Sequence, residues 1–176
     1  MREKKRDMEM ERTEDKREQD REAEPAHACA LTGHRQLGAD FSAGKLREIF
    51  DFLTVKKGVN IFYCGMALGF DTAACELLCG MRDGGADIRV IACVPCPDQP
   101  ARFNERQKQK YGELLARCDE RVVLAPRYST GCMHARNRYM VDRAAYLVAY
   151  CNREKGGTAS TVRYAQRKGR EILFVR

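Results

Sequence analysis

Two glycines followed by hydroxyl side chains occupy residues 156–161 (GGTAST), between an apolar run and a segment with helical spacing. Glycine lets the backbone approach an anion closely, and the unbonded N–H groups at the start of a helix point toward such an anion. Thr158, Ser160 and Thr161 add hydroxyl donors to the same turn. The residue types leave two interpretations open: a cradle for phosphate, or a tight turn with Thr158 as an ordinary N-cap.

A second glycine-rich turn covers residues 65–71 (GMALGFD). The spacing of Gly65 and Gly69 is G-x-x-x-G, which differs from the G-x-G-x-x-G dinucleotide fingerprint. The lysine and the serine or threonine that end a Walker A motif do not follow it. Asp71 stands at the start of the next predicted helix, where a carboxylate often caps backbone N–H groups. Its alternative role is to accept a hydrogen bond from a ribose hydroxyl.

A third polar turn, residues 32–35 (TGHR), brings together Gly33, an imidazole and a guanidinium. Arg35 suits a phosphate, because its planar fork can donate two parallel hydrogen bonds. For His34 we consider a ligand contact, an acid–base role and a structural hydrogen bond. Arg136 and Asn137 precede a further predicted helix, and Arg136 is a candidate second cation.

Other chemistries find less support in the sequence. Cys93 and Cys96 form a lone C-x-x-C, and Cys75 and Cys79 lie on a predicted helix, whereas a structural zinc site usually needs two close ligand pairs. We therefore expect no metal site. The nine cysteines, an odd number, are expected to be mostly buried free thiols. The chain has no G-x-S-x-G nucleophile elbow.

The elements that position these turns alternate regularly along the chain. Short apolar runs predict six strands, each separated from the next by a helical pattern or a turn, at 28–32, 59–64, 88–94, 121–124, 146–150 and 171–175. Strands alternating with helices imply right-handed crossovers. The predicted fold is α/β, a Rossmann-like doubly wound and mostly parallel sheet of about six strands with helices on both faces. Ligands of such sheets bind beyond the carboxyl ends of the strands, so the three turns should share one edge.

Charge divides the chain into two segments. Residues 1–25 are almost wholly polar, with eight basic and ten acidic side chains, and we expect a solvated tail there. Residues 26–176 carry 24 basic and 15 acidic side chains, a net charge of +9, and are predicted to form a single domain. A basic domain favours anionic partners, although a solvated surface explains the same charge. No run approaches the roughly 18 apolar residues of a membrane span, and no apolar signal core is present, so we expect a cytoplasmic protein.

Five motifs in this order resemble the YpsA-like branch of the SLOG superfamily. They are TGHR, GMALGFDTAACE, VPCPDQ, GCMHARNRYMVDRA and GGTASTVRYAQRKG, and the resemblance covers residues 30–176. This branch is similar to DprA and to the LOG, or lysine-decarboxylase-like, proteins, which share a Rossmann-like sheet. The resemblance implies a nucleotide or nucleotide-derived ligand with its phosphate at the GGT turn. It assigns ligand contacts to Gly33, His34, Arg35, Gly65, Gly69, Asp71, Gly156, Gly157 and Thr158, and it matches Arg136 and Asn137 to a further motif.

The departures from those relatives guide the functional expectation. LOG-type enzymes carry the motif PGGxGTxxE, and this chain has Thr161 at the position of its glutamate. The resemblance therefore supports binding or sensing of a ligand better than catalysis. Such a ligand would be ADP-ribose or an NAD derivative. One alternative is a hydrolase of an N-glycosidic or phosphate bond, with His34 and Asp71 as acid–base candidates. The other is a DprA-like protein that binds single-stranded DNA, although the sequence shows no clear aromatic set interleaved with basic residues. A homodimer is a further expectation.

Overall fold

The computed structural model describes residues 24–176, which form one six-stranded sheet with five α-helices. The sequence prediction of a Rossmann-like α/β fold is confirmed. The strands agree with the apolar runs to within two residues at each end: β1 Ala28–Gly33, β2 Ile61–Cys64, β3 Arg89–Val94, β4 Glu120–Val123, β5 Tyr146–Tyr150 and β6 Glu171–Phe174.

The order of the strands is β4-β3-β2-β1-β5-β6, and all five pairings are parallel. The chain builds the sheet outward from β1 in one direction as far as β4, and then returns to place β5 on the other side of β1. The register pairs Gly33 with Tyr150, so β1 and β5 end at the same level. A crevice opens at such a reversal because the connections on its two sides leave in opposite directions.

The helices cover the two faces of the sheet in two groups. They are α1 Ala43–Lys57, α2 Phe70–Asp83, α3 Glu105–Arg117, α4 Cys132–Asp142 and α5 Gly157–Arg167. One face packs against α1, α2 and α3 through a core that includes Leu31, Phe50 and Leu78. The opposite face packs against α4 and α5 through a second core that includes Ala30, Met140 and Val162. Alternate side chains of β1 enter the two cores, as the two-residue period of a strand requires.

Local signals explain where several helices begin and end. Ser42 caps α1 by accepting a hydrogen bond from the Lys45 N–H, and Gly58 ends that helix in the left-handed conformation. Asn104 and Gln107 form a capping box at the start of α3. The two edge strands, β4 and β6, are exposed or half-buried, although the sequence predicts them from apolar runs.

The boundary that we drew between a charged tail and the domain falls inside a short 3-10 helix, Glu24–His27. The carbonyl of Pro25 accepts a hydrogen bond from the Ala145 N–H at 2.7 Å, which ties this turn to the start of β5. Residues 1–23 of the predicted solvated tail lie outside the described residues. Within 24–176, no helix is both long enough and apolar enough to cross a membrane. All nine cysteines are free thiols, seven of them buried.

Candidate functional site

A cavity of about 460 Å³ opens where β1 and β5 end. Nine of the eleven residues that the family resemblance matches to ligand contacts or to its further motif line it: Gly33, His34, Arg35, Asp71, Arg136, Asn137, Gly156, Gly157 and Thr158. The remaining two, Gly65 and Gly69, are absent from its walls. The fold therefore brings residues from four separate connections to one place, at the reversal point of the sheet.

The first turn of α5 faces this cavity without a side-chain cap. Gly156 stands at the N-cap position with φ 106° and ψ −178°, a conformation that is essentially confined to glycine. The first backbone bond of the helix runs from the Ser160 N–H to the Gly156 carbonyl at 3.0 Å, so the N–H groups of residues 157–159 precede the helical ladder. Thr158 is the second residue of the helix, not its N-cap. This geometry removes the interpretation of Thr158 as an ordinary cap.

Positive charge surrounds the same turn. Arg35, Arg136, Arg153 and Lys155 all line the cavity, and Asp71 is the one acidic residue among its described lining residues. The first turn of α5 carries no acidic side chain of its own. The partial positive charge of a helix N-terminus adds to that of the four cations, so the electrostatics of the cavity favour an anion.

Arg136 belongs to a buried network that joins α4 to α5. Its side chain donates from Nη1 to the Gly65 carbonyl and from Nε to Asn137 Oδ1, the latter at 2.7 Å. Asn137 in turn donates to the Thr161 hydroxyl at 2.8 Å, and that hydroxyl donates to the Gly157 carbonyl at 2.9 Å. The residue is only 4% exposed, and Nη2 of Arg136, which has no hydrogen-bond partner among the described residues, is not fully buried. The network thus fixes the Arg136 guanidinium at the cavity wall, with the N–H groups of Nη2 able to donate to a ligand.

Asp71 is buried between this network and the turn that follows β2. Its Oδ2 accepts a hydrogen bond from the Ala67 N–H at 3.2 Å, so the carboxylate caps the turn rather than the helix that it was expected to cap. Burial raises the pKa of Asp71 to about 6, while the charge of Arg136 opposes that rise. A carboxyl group with such a pKa can hold or release a proton near neutrality.

His34 connects the ends of β1 and β5. Its Nε2 accepts a hydrogen bond from the Asn152 N–H at 3.1 Å, and its ring meets Tyr150 edge-on at 5.6 Å. Because Nε2 accepts, the proton of the neutral ring resides on Nδ1. Burial, reinforced by Arg153, lowers the pKa of His34. The imidazole is therefore a neutral group with a structural bond at one nitrogen and a possible donor at the other.

The glycines at the strand ends make room for close packing. A Cβ on Gly33 would collide with the Phe70 side chain, and one on Gly65 would collide with Arg136 and lie 2.7 Å from Asp71 Oδ2. A Cβ on Gly69 would meet the backbone carbonyls of His34 and Arg35. Gly69 thus lets the turns that follow β1 and β2 approach each other, and Gly65 leaves room for the Arg136 side chain. Both glycines contribute to the site through this packing.

The sequence analysis missed three residues that shape the site. Lys155 directly precedes the glycine pair, and Arg153 lies two residues before Lys155. Two basic residues beside a glycine-rich turn were a signal that was available. Gln99 is 8% exposed and donates to the same Gly65 carbonyl as Arg136 does, at 2.9 Å. No local pattern distinguishes Gln99, because its partner lies 34 residues away.

A second cavity of about 280 Å³ adjoins the first. Arg35, Ala67 and Met133 line both of them, so the two share a wall. The second cavity has a more apolar lining, with Leu68, Ala101, Phe103 and Tyr128 beside the polar Asp98, Gln99 and Arg102.

One group of thiols stands apart from both cavities. The sulfurs of Cys75, Cys79 and Cys118 lie within 4.8 Å of one another, and Cys75 and Cys118 are 3.7 Å apart. The sequence analysis expected no metal site and considered only pairs with Cys93 and Cys96. Three thiols at this separation can coordinate a thiophilic ion, whereas a closed tetrahedral zinc site takes four ligands. The group is packed in the core beneath α2.

Comparison with known families supports the resemblance drawn from the motifs. Residues 45–172 match the YpsA model, described as the YspA SLOG family. The chain belongs to this family. It is similar to the SPbeta prophage-derived protein YoqJ of Bacillus subtilis, with 27% identity over 135 residues that cover 70% of this chain and 79% of YoqJ. It is also similar to a UPF0398 protein of Halalkalibacterium halodurans, with 20% identity over 140 residues that cover 77% of this chain and 72% of that protein.

Two solved structures share the SLOG fold of this chain. DNA processing protein A (DprA) of Streptococcus pneumoniae superposes with a TM-score of 0.64 at 18% identity, covering 88% of this chain and 51% of that one. DprA of Helicobacter pylori, whose structure concerns a single-stranded DNA binding mode, superposes with a TM-score of 0.60 at 19% identity, covering 85% and 65%. The chain therefore spans about half to two thirds of these DprA chains. At these identities the likeness is one of fold.

Proposed function

We propose that this SLOG protein binds or senses a nucleotide or nucleotide-derived ligand, with a phosphate of the ligand at the start of α5. The observation that carries the proposal is the uncapped first turn of α5 opening into a cavity lined by four cationic side chains. Backbone N–H groups supply directional donors, and the helix dipole and the cations supply the charge. A ligand such as ADP-ribose or another NAD derivative offers the matching phosphates.

The residues around α5 favour binding over N-glycosidic cleavage. Thr161 takes the position where LOG-type enzymes carry a glutamate, and its hydroxyl is bonded to Asn137 and to the Gly157 carbonyl. A threonine hydroxyl cannot replace a carboxylate as an acid–base group at neutral pH. Asp71, with its raised pKa, is the residue that favours the alternative of a nucleotide hydrolase. Turnover that disappears in Asp71→Asn while binding survives would establish that alternative.

Gly157→Asp tests the proposed cradle. A Cβ at this position meets no atom within 4 Å, and an acidic residue in the first turn of a helix is favourable to the fold, so the variant should fold normally. The added carboxylate occupies the proposed phosphate position, and its negative charge repels the phosphate of the ligand. In a thermal-shift panel of AMP, ADP, ATP, NAD, ADP-ribose, cyclic dinucleotides and ribose 5-phosphate, a ligand at about 100 times its Kd should stabilise the wild type by about 2.7 kcal/mol and leave the variant unshifted.

Gly112→Asp is the matched control, because it makes the same replacement at an exposed position of α3 with open space around it. The control should retain the full ligand-induced shift. If Gly157→Asp bound the same ligand as tightly as Gly112→Asp does, the phosphate would lie elsewhere and the proposal would be wrong.

A further inference from the structure

The cavity at the start of α5 continues into a second one of different chemistry. Glycine, guanidinium and ammonium groups line the phosphate side, whereas Leu68, Phe103 and Tyr128 line the adjoining cavity. Arg35, Ala67 and Met133 form the wall that the two share. A single ligand that spans both would need an anionic end and a flat, largely apolar end.

Several contacts hold the inner part of the second cavity in place. Gln99 donates to the Gly65 carbonyl at 2.9 Å, and its Oε1 accepts from the Tyr111 hydroxyl at 3.4 Å. Phe103 packs edge-on against the same Tyr111 ring at 5.8 Å. Both hydrogen-bonding groups of the Gln99 amide are thus engaged, which leaves the Phe103 ring as a fixed apolar surface beside them.

Tyr128 differs from the other aromatic residue of this cavity. It is 63% exposed, although it lies on the cavity wall. An exposed aromatic ring at the rim of a cavity can stack on a planar base, and base stacking on aromatic side chains tolerates any base because every base has a π-face. Arg35, in the shared wall, can approach both the base and a phosphate.

We propose that the second cavity is the nucleobase subsite of the ligand whose phosphate lies at the start of α5, with Tyr128 and Phe103 as its aromatic contacts. The inference rests on the proposed function, since it assigns a place to the base of the same nucleotide. The ligand class is then a nucleoside 5′-phosphate unit, alone or within a larger molecule, and not a bare sugar phosphate or inorganic anion.

The test compares two probes that differ only in the base. Calorimetric titration of AMP and of ribose 5-phosphate gives a ratio of dissociation constants for each protein variant. We expect the wild type to bind AMP at least about tenfold more tightly, as one stacked base contributes that order of affinity. Tyr128→Ala should reduce the preference severalfold and leave the affinity for ribose 5-phosphate unchanged, while Tyr128→Phe should retain the preference.

Phe52→Ala serves as the matched control, because Phe52 is an exposed aromatic residue on α1, outside both cavities. It should keep the wild-type ratio. Equal affinity for the two probes, no saturable binding of AMP, or a ratio that Tyr128→Ala leaves unchanged would each overturn the base subsite. The proposed function fails separately, when Gly157→Asp leaves the binding of ribose 5-phosphate unaffected.

Discussion

A few buried polar groups shape the cavity at the start of α5. Arg136 shows how: its guanidinium is held by the Gly65 carbonyl and by Asn137, yet it forms part of the cavity wall. The carboxylate of Asp71 lies close enough for the charge of Arg136 to oppose the rise of its pKa, so Arg136 is not an unpaired charge. Its Nη2 can donate to an anion in the cavity, and a bound phosphate would supply one.

Asp71 leads to a prediction about pH. Its pKa is raised from 3.8 to about 6 in the folded protein, so between these values the folded state binds the proton that the unfolded state has released. Stability is therefore greater below the unfolded pKa and is lost as the pH rises toward about 6. An asparagine at this position can still accept the hydrogen bond from the Ala67 N–H and carries no charge.

We expect the free energy of unfolding of Asp71→Asn to gain about 2 kcal/mol relative to the wild type between pH 4 and pH 7, from 1.36 kcal/mol per pKa unit and the fraction of the shift that this pH range covers. Urea unfolding of the two proteins at several pH values measures the difference. Comparison with the wild type cancels other titrating groups such as His34. Parallel stability curves for the two proteins would show that the buried carboxyl has an ordinary pKa.

At the scale of the elements, the turn before α5 depends on one backbone conformation. Gly156 has φ 106° and ψ −178°, which L side chains rarely adopt, whereas Gly157 has an ordinary helical conformation. Both positions have open space for a Cβ. Because only Gly156 has the unusual backbone conformation, comparing substitutions at the two positions measures the effect of backbone strain without that of steric clashes.

Gly156→Ala should destabilise the fold by about 1–3 kcal/mol and weaken ligand binding, because the alanine forces the turn away from this conformation. Gly157→Ala should be neutral or slightly stabilising, since alanine is a better helix former than glycine. Thermal or urea unfolding of both variants measures the contrast. Equal stability of the two would mean that the turn relaxes without cost and that Gly156 is dispensable.

Element boundaries also show how far local sequence signals reach. The helix that begins at Gly157 and the strand Tyr146–Tyr150 start where the pattern predicts, because glycine, caps and apolar periodicity act locally. The sequence analysis placed Arg136 and Asn137 before a helix, but both lie inside α4, which begins at Cys132 after its N-cap, Gly131. Cys132 is buried and Met133 is half-buried. Tertiary packing extends that helix beyond its local signal.

At the scale of the whole molecule, the sheet order decides which turns meet. Three turns were expected to share an edge, but only the placement of β5 beside β1 brings TGHR and GGT to opposite sides of one crevice. The net charge of +9 over residues 26–176 acts on a larger scale. A net charge of this sign favours anionic partners, and nucleic acid is one class of them.

The net charge of +9 predicts weak binding of single-stranded DNA that falls steeply with salt. Gly157→Asp changes this charge by one unit, so the variant should leave such binding largely unaffected. Fluorescence anisotropy of a labelled oligonucleotide measures this binding between about 50 and 200 mM salt, the range over which such binding is lost. Tight binding that persists at the higher salt and is lost in Gly157→Asp would instead make the α5 turn a DNA site.

The amino-acid sequence by itself determined the fold class, the family and most of the residues that line the candidate site. These depend on short-range periodicity, on glycine positions and on motif order, all of which are local in the chain. Only the tertiary structure decided that Asp71 is buried beside Arg136, that Gly65 and Gly69 serve packing, and that Tyr128 lines a cavity adjoining the one at the GGT turn. Burial, electrostatic coupling and cavity shape arise from residues distant in sequence, so no local pattern encodes them.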